Sequence, residues 1–252
     1  MNIYSLEKIQ SELYNFATFE DYCKNGLQVE GSLEVEKVLL AVSFNQKVIE
    51  KAKEIKADTI IVHHGIFGKN YFSLIGVQKK RIASLLLNNI NLIGIHLPMD
   101  AHPTMGHNAI LSKLIGLDDI EKFEFGFIGK NKNKYSVSMM AEIIDKYIFN
   151  KTRFSNSANF KMIGDNNRVP KLVTIISGSS DNCLEGAIKS GSQLFISGMI
   201  SEQTPAICEE SSTGFLALGH YFTEIAGILA LSEYLNGKYN LNCEVAILPN
   251  TI

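Results

Sequence analysis

A chain of 252 residues, 46% hydrophobic and 20% charged, can bury a sizeable core without disulfide or metal staples. Its formal net charge of −2 gives no electrostatic basis for a nucleic-acid partner, and no apolar run reaches the ~18–20 residues of a membrane span. The start, Met1-Asn2-Ile3-Tyr4, lacks the pattern of an export signal, and Cys23, Cys183, Cys208 and Cys243 form no Cys-x-x-Cys pair, so reduced thiols and a cytoplasmic address are expected.

In chain order, Leu6, Ile9, Leu13 and Phe16 predict a helix over 5–16 with one apolar face. Residues 25–31, with two glycines and an asparagine, read as a loop. A short apolar strand follows at 37–42, then a helix at 46–55, a strand at 59–62, a helix at 77–87 and a strand at 92–95. A helix opens at His107 and runs to 115, and another is expected at 137–148. The polar stretch 150–168, rich in Asn and Ser, is read as a mobile segment or boundary. The second half repeats the scheme, with strands at 172–176, 194–197, 215–218 and 243–248 and helices at 181–189 and 223–235.

Alternating apolar strands and helices imply an α/β protein with a covered sheet. A faint duplication supports two halves, 1–130 and 131–252, which can also count as one compact domain. Val48-Ile49-Glu50-Lys51-Ala52 is echoed by Cys183-Leu184-Glu185-Gly186-Ala187, and His96-Leu97-Pro98-Met99-Asp100 by His220-Tyr221-Phe222-Thr223-Glu224. Both of the latter are His-x-x-x-acid directly after an apolar strand.

Of six histidines, His63, His64, His96 and His220 fall at the C-terminal ends of expected strands, the edge where open α/β sheets bind ligands. With Asp100 and Glu224 nearby they compose an imidazole–carboxylate set suited to Zn²⁺, Mn²⁺ or Fe²⁺. Adjacent strand residues point to opposite faces, so His63 and His64 share one ion only if the backbone turns sharply; otherwise each serves a different ion of a pair. Glu224 or Asp100 has the two oxygens to bridge such a pair, and ions ~3.5–4 Å apart are the arrangement of many hydrolases. His102 is either a loop residue or a group that contacts substrate or orients Asp100, and His107 is left out of the site. Asn25 and Gln28 are read as turn residues, and Ser177-Gly178-Ser179-Ser180 as a helix cap or an anion-binding turn. Lys79-Lys80-Arg81 reads as the solvated face of a helix.

Val62-His63-His64-Gly65, Ile95-His96-Leu97-Pro98-Met99-Asp100-Ala101-His102, Gly219-His220-Tyr221-Phe222-Thr223-Glu224 and Asn25-Gly26-Leu27-Gln28-Val29-Glu30-Gly31 together resemble the Nif-three-like dinuclear metal-centre family, in its short, YbgI-like branch. The resemblance covers nearly the whole chain. It implies two interwoven α/β halves in three αβα layers and a toroidal homohexamer. It also implies two divalent ions (Zn, Fe or Mn) held by His63, His64, Asp100, His220 and Glu224, with His96 as a further ligand or a neighbour of the ligands. Members are often called GTP cyclohydrolase I type 2 homologues, which implies metal-dependent hydrolysis of a small nucleotide-like or anionic substrate. In that reading Glu224 bridges, and His96 or His102 moves a proton or binds substrate. No separate guanine-reading motif is present, and a non-catalytic role in metal storage, delivery or scaffolding uses the same ligands.

Overall fold

The computed structural model describes residues 1–68 and 72–250. Helix α1 (Ile3–Tyr14) starts where the Asn2 side chain accepts the Tyr4 N–H, and stops at Asn15, whose φ of 50° is left-handed. There follow β1 (Gly26–Val29), β2 (Lys37–Ser43), α2 (Gln46–Glu54), β3 (Thr59–His64), α3 (Gly76–Leu87), β4 (Asn91–Gly94) and the single turn α4 (Leu97–Asp100). Next come α5 (His107–Leu114), β5 (Leu117–Phe123), β6 (Gly126–Asn131), α6 (Val137–Thr152), β7 (Lys161–Ile163) and β8 (Leu172–Ile175). The chain ends with α7 (Leu184–Lys189), β9 (Leu194–Ser197), α8 (Thr204–Ser211), β10 (Gly214–Ala217), the single turn α9 (His220–Thr223), α10 (Ile225–Tyr239) and β11 (Asn242–Val245).

The fold is α/β with two sheets, and the chain forms two compact units. The first unit, Met1–Met99 with Ile228–Leu248, holds the sheet β1-β4-β3-β2-β11. Its strands β4, β3, β2 and β11 are parallel and β1 is antiparallel on β4. Leu39, Ala41, Ile60, Val62 and Leu92 pack with Val48, Ile49 and Ala52 of α2 and Leu85 of α3, so near-continuous apolar strands meet helices at 3.6-residue spacing. The second unit, Asp100–Gly227 with Pro249 and Asn250, holds the sheet β5-β6-β8-β9-β10-β7. Here β8, β9 and β10 are parallel, and β7 is antiparallel on β10. Its core stacks Phe195 on Phe215, ring centroids 5.5 Å apart, against Leu184, Ala187 and Cys208.

The duplication seen in the sequence is therefore a duplication of topology. β2-α2-β3-α3-β4 and β8-α7-β9-α8-β10 are each three parallel strands, with an antiparallel strand beside the third and a one-turn helix after it. His96 immediately precedes the first of those turns and His220 opens the second.

Several expectations change. Residues 130 and 131 lie inside β6, where Phe127, Ile128, Gly129 and Lys130 pair with β8; the chain leaves the first unit after Met99 and returns at Ile228. Residues 26–29 are a strand, not a loop; Gly26 (φ 99°) and Gln28 hide the pattern because only Gly26 and Val29 are buried. The polar stretch 150–168 is no boundary. It includes β7, and fully buried Asn156 donates to the Leu218 carbonyl at 2.7 Å. The hairpin β5–β6 and helix α8 were not foreseen; β5 is exposed from Asp118 to Lys122 and gives no alternating signal. The helix expected at 223–235 is broken, and Glu224 sits at the joint between α9 and α10. Among the described residues no helix is long and apolar enough to cross a membrane.

This packing can be probed at two places. Asn91, fully buried at the start of β4, accepts the Gly31 N–H at 2.7 Å and donates to the Ser32 carbonyl at 2.8 Å. Asn91→Ala strands both backbone groups, and urea unfolding should show a loss of about 1–3 kcal/mol. All four cysteines are free thiols, and burial pushes Cys208 up to about 11 and Cys243 up to about 12. Burial raises Cys23 and Cys183 as well. At pH 8 a disulfide reagent should therefore titrate the native protein slowly and all four thiols at once in denaturant; rapid native reaction of Cys208 and Cys243 would contradict the packing.

Candidate metal centre

The first unit gathers three histidines. β3 runs through His63 and His64, and the ring centroids lie 4.5 Å apart; His96, just past β4, lies 4.9 Å from His63 and 5.6 Å from His64. One ring nitrogen from each falls within 4.8 Å of the others. The strand ends at His64, where the two rings come close together, and the chain turns at Gly65. A Cβ on Gly65 would lie 2.4 Å from the Gln28 amide, so the turn needs glycine for close approach. Gln28 holds that turn: its Oε1 accepts the Ile66 N–H at 2.8 Å and its Nε2 donates to the Lys24 carbonyl at 2.6 Å.

Hydrogen bonds fix where the ring protons sit. His63 donates Nδ1–H to the Ile95 carbonyl at 2.9 Å, and His96 donates Nδ1–H to Asp21 Oδ1 at 2.9 Å, which leaves the lone pair on Nε2 in both. Tyr22 O–H reaches His96 Nε2 at 3.3 Å. Asp21 also accepts the Leu97 N–H at 3.0 Å, and Asn25 accepts the His96 N–H at 2.7 Å, so these two residues pin the entrance to α4. Burial alone would raise the Asp21 pKa; hydrogen bonds from His96, the Cys23 N–H and Asn25 outweigh it and hold the carboxyl at about 2.

The second unit carries the acids. Asp100 is buried, and its Oδ1 accepts Ser177 O–H at 2.7 Å. His220 Nε2 and Glu224 Oε1 are 3.1 Å apart across α9, with Glu224 buried and His220 half-buried. Gly178 (φ 68°) packs its Cα against this pair: a Cβ there would lie 2.3 Å from Glu224 Oε1 and 3.3 Å from His220 Nε2. The Gly178 N–H donates to Thr223 Oγ1 at 3.0 Å. The 177–180 segment is thus neither a simple cap nor an anion turn. It wraps the carboxylates.

His102 and His107 have the opposite tautomer. His102 Nδ1 accepts the Met105 N–H at 3.0 Å, and His107 Nδ1 accepts the Gly227 N–H at 2.9 Å, which places the proton on Nε2 of each neutral ring. They are built as donors, not as metal ligands through Nε2. His107, set aside on sequence, is fully buried with a ring nitrogen within 4.8 Å of an Asp100 oxygen. Only its place seven residues after Asp100, at the start of a helix, could have marked it. Asp21 also escaped notice, because a single acid in an irregular segment carries no pattern.

The donors fit a divalent transition ion. Neutral imidazoles whose Nδ1–H is anchored to a carbonyl or carboxylate are the usual form of metal-bound histidine, and the neighbouring carboxylates supply negative charge. The structure has His/Asp/Glu clusters that could bind a metal.

The chain is 36% identical to the "GTP cyclohydrolase 1 type 2 homolog" of Pasteurella multocida, over 99% of both chains, and 34% identical to the Escherichia coli K12 protein of the same name, over 97% of both. Among solved structures it resembles protein ybgI, described as of unknown function, with a TM-score of 0.90, 33% identity and full coverage of both chains. A Thermus thermophilus protein matches with a TM-score of 0.86 and 27% identity, again over both whole chains. The family model Duf34/NIF3 (NGG1p interacting factor 3) matches residues 1–251, and the chain belongs to that family.

Proposed function

We propose that the protein is a metal-dependent hydrolase of a small, anionic or nucleotide-like substrate. The observation that carries this reading is the His63–His64–His96 cluster with its anchored Nδ1–H groups. Two ions would be held by His63, His64, Asp100, His220 and Glu224. When bound, such a pair supplies an activated water at neutral pH and stabilises a developing oxyanion.

The chain's own residues do the rest. Asp21 stays ionised to far below neutral pH and keeps Nδ1 of His96 protonated, so His96 offers Nε2 as a proton acceptor or a donor atom. His102, with its proton on Nε2, is suited to donate to a substrate oxygen or nitrogen. Opening of the guanine imidazole ring of GTP is the specific form of this hypothesis, and it is motivated by the name that the relatives bear.

We extend the proposal to a homohexamer in the cytoplasm. Leu74, Ile75, Val77, Leu86 and Leu87, on and just before α3, are all more than half exposed, an apolar surface of the kind that self-association covers. Native mass spectrometry should then find an assembly of six 28.0 kDa chains; a monomer at micromolar concentration would refute it.

The function is tested with protein reconstituted separately with Mn²⁺, Fe²⁺ and Zn²⁺ and offered GTP, other nucleotides, phosphoesters and cyclic amides. The expected outcome is turnover with one class, falling by roughly 100-fold or more in Glu224→Ala. Two tightly held ions with no turnover on any substrate would replace this reading with metal storage, delivery or scaffolding.

A further inference from the structure

Two serines occupy corresponding places in the two units. Ser43 is the last residue of β2, the first strand of its βαβαβ run, and pairs in register with His64. Its Oγ lies 2.9 Å from His64 Nδ1. Ser177 lies two residues beyond β8, the first strand of the second run, and is buried with its O–H on Asp100 Oδ1 at 2.7 Å. Each serine therefore touches one residue of the proposed ligand set.

The setting of Ser177 is more elaborate than a buried hydroxyl requires. Fully buried Asn108 accepts the Ser177 N–H on Oδ1 at 2.7 Å. Through Nδ2 it donates to the Asp100 carbonyl at 3.2 Å and the Phe125 carbonyl at 2.9 Å. Asp100 is thus gripped at its backbone by Asn108 and at its carboxylate by Ser177, and Asn108 fixes Ser177 in turn. A serine placed only to satisfy its own hydroxyl could bond any nearby carbonyl, as Ser180 does with Ile176. Ser177 instead gives its only proton to the carboxylate.

We infer that Ser43 and Ser177 are positioning residues for the metal centre, Ser43 orienting the His64 ring and Ser177 fixing the rotation of the Asp100 carboxylate. This rests on the metal-centre reading above. With Ser43 Oγ as the acceptor of Nδ1–H, the His64 lone pair falls on Nε2. Ser177 occupies one lone pair of Oδ1, so the remaining carboxylate lone pairs point in one defined direction. A ligand held this way binds without losing rotational freedom, and partners of this type contribute about 10–100-fold in metal affinity.

The test is a Co²⁺ titration of the full chain and of Ser43→Ala, Ser177→Ala, Ser43→Thr and Ser177→Thr, followed by the visible d–d absorption of the bound ion. Thermal melts of the metal-free proteins run alongside. The expected result is a loss of about 10–100-fold in Co²⁺ affinity and an altered d–d spectrum in each alanine variant, with metal-free melting close to wild type. The threonine variants, which keep the hydroxyl, should recover both affinity and spectrum. Should Ser177→Ala not fold, Ser177→Cys, near in volume but a weak donor, is read against the same criteria. Wild-type affinity and spectrum in the alanine variants would overturn the positioning role while leaving the metal centre intact. Failure of the wild-type protein itself to take up Co²⁺ would overturn the metal-centre reading, and the role with it.

Discussion

Three imidazoles, each with a ring nitrogen within 4.8 Å of the others, impose the constraint on which the site depends. Two unit charges ~5 Å apart repel by about 3 kcal/mol at an effective dielectric of 20, so the three rings cannot all be protonated without a large cost. A ring that offers a lone pair must be told which nitrogen holds its proton. The Ile95 carbonyl does this for His63 and the Asp21 carboxylate does it for His96. Asn25 and Gln28, which line the approach to these groups, then hold the backbone at Ile66 and His96 so that the lone pairs keep their direction.

The same logic separates rings that offer a lone pair at Nε2 from rings that offer an N–H there, which composition and spacing could not do. His96 and His102 are both in the segment after β4 and look equivalent in sequence. One donates from Nδ1 to an acid and the other accepts at Nδ1 from a backbone N–H, so their Nε2 atoms carry opposite chemistry. The carboxylates are likewise distinguished by their surroundings. Asp100 receives a hydroxyl proton, whereas Glu224 lies against the bare Cα of Gly178 and one helical turn from His220.

Much of this could be read from the sequence, and the limits have physical causes. The parallel strands β2, β3, β4, β8, β9 and β10 were visible because strands buried on both faces are apolar throughout. The His-x-x-x-acid repeat was visible because both copies follow such strands. β1, β5 and β7 were not, since antiparallel edge strands gain their stability from backbone pairing and here display no alternation of side chains. Asp21, Ser177 and Asn108 were missed as parts of the site for another reason: each acts through hydrogen bonds to site residues at least eight positions away, and no local period records that.

The chain's route gives the duplication its meaning. It leaves the first unit between Met99 and Asp100 and returns between Gly227 and Ile228, so Asp100 opens the second unit's main segment and Glu224 lies three residues before its end. Both acids are therefore fixed next to the points where the chain passes from one unit to the other. His96 and His220, their partners in the repeat, belong to different units, and the helical turns after them, α4 and α9, have different tasks. α4 carries the chain out of the first unit, and its entrance is clamped by Asp21. α9 stays within the second unit and presents His220 and Glu224 together. A symmetric repeat with one copy cut by the unit boundary yields an asymmetric set of donors, three histidines in one unit and two carboxylates with one histidine in the other.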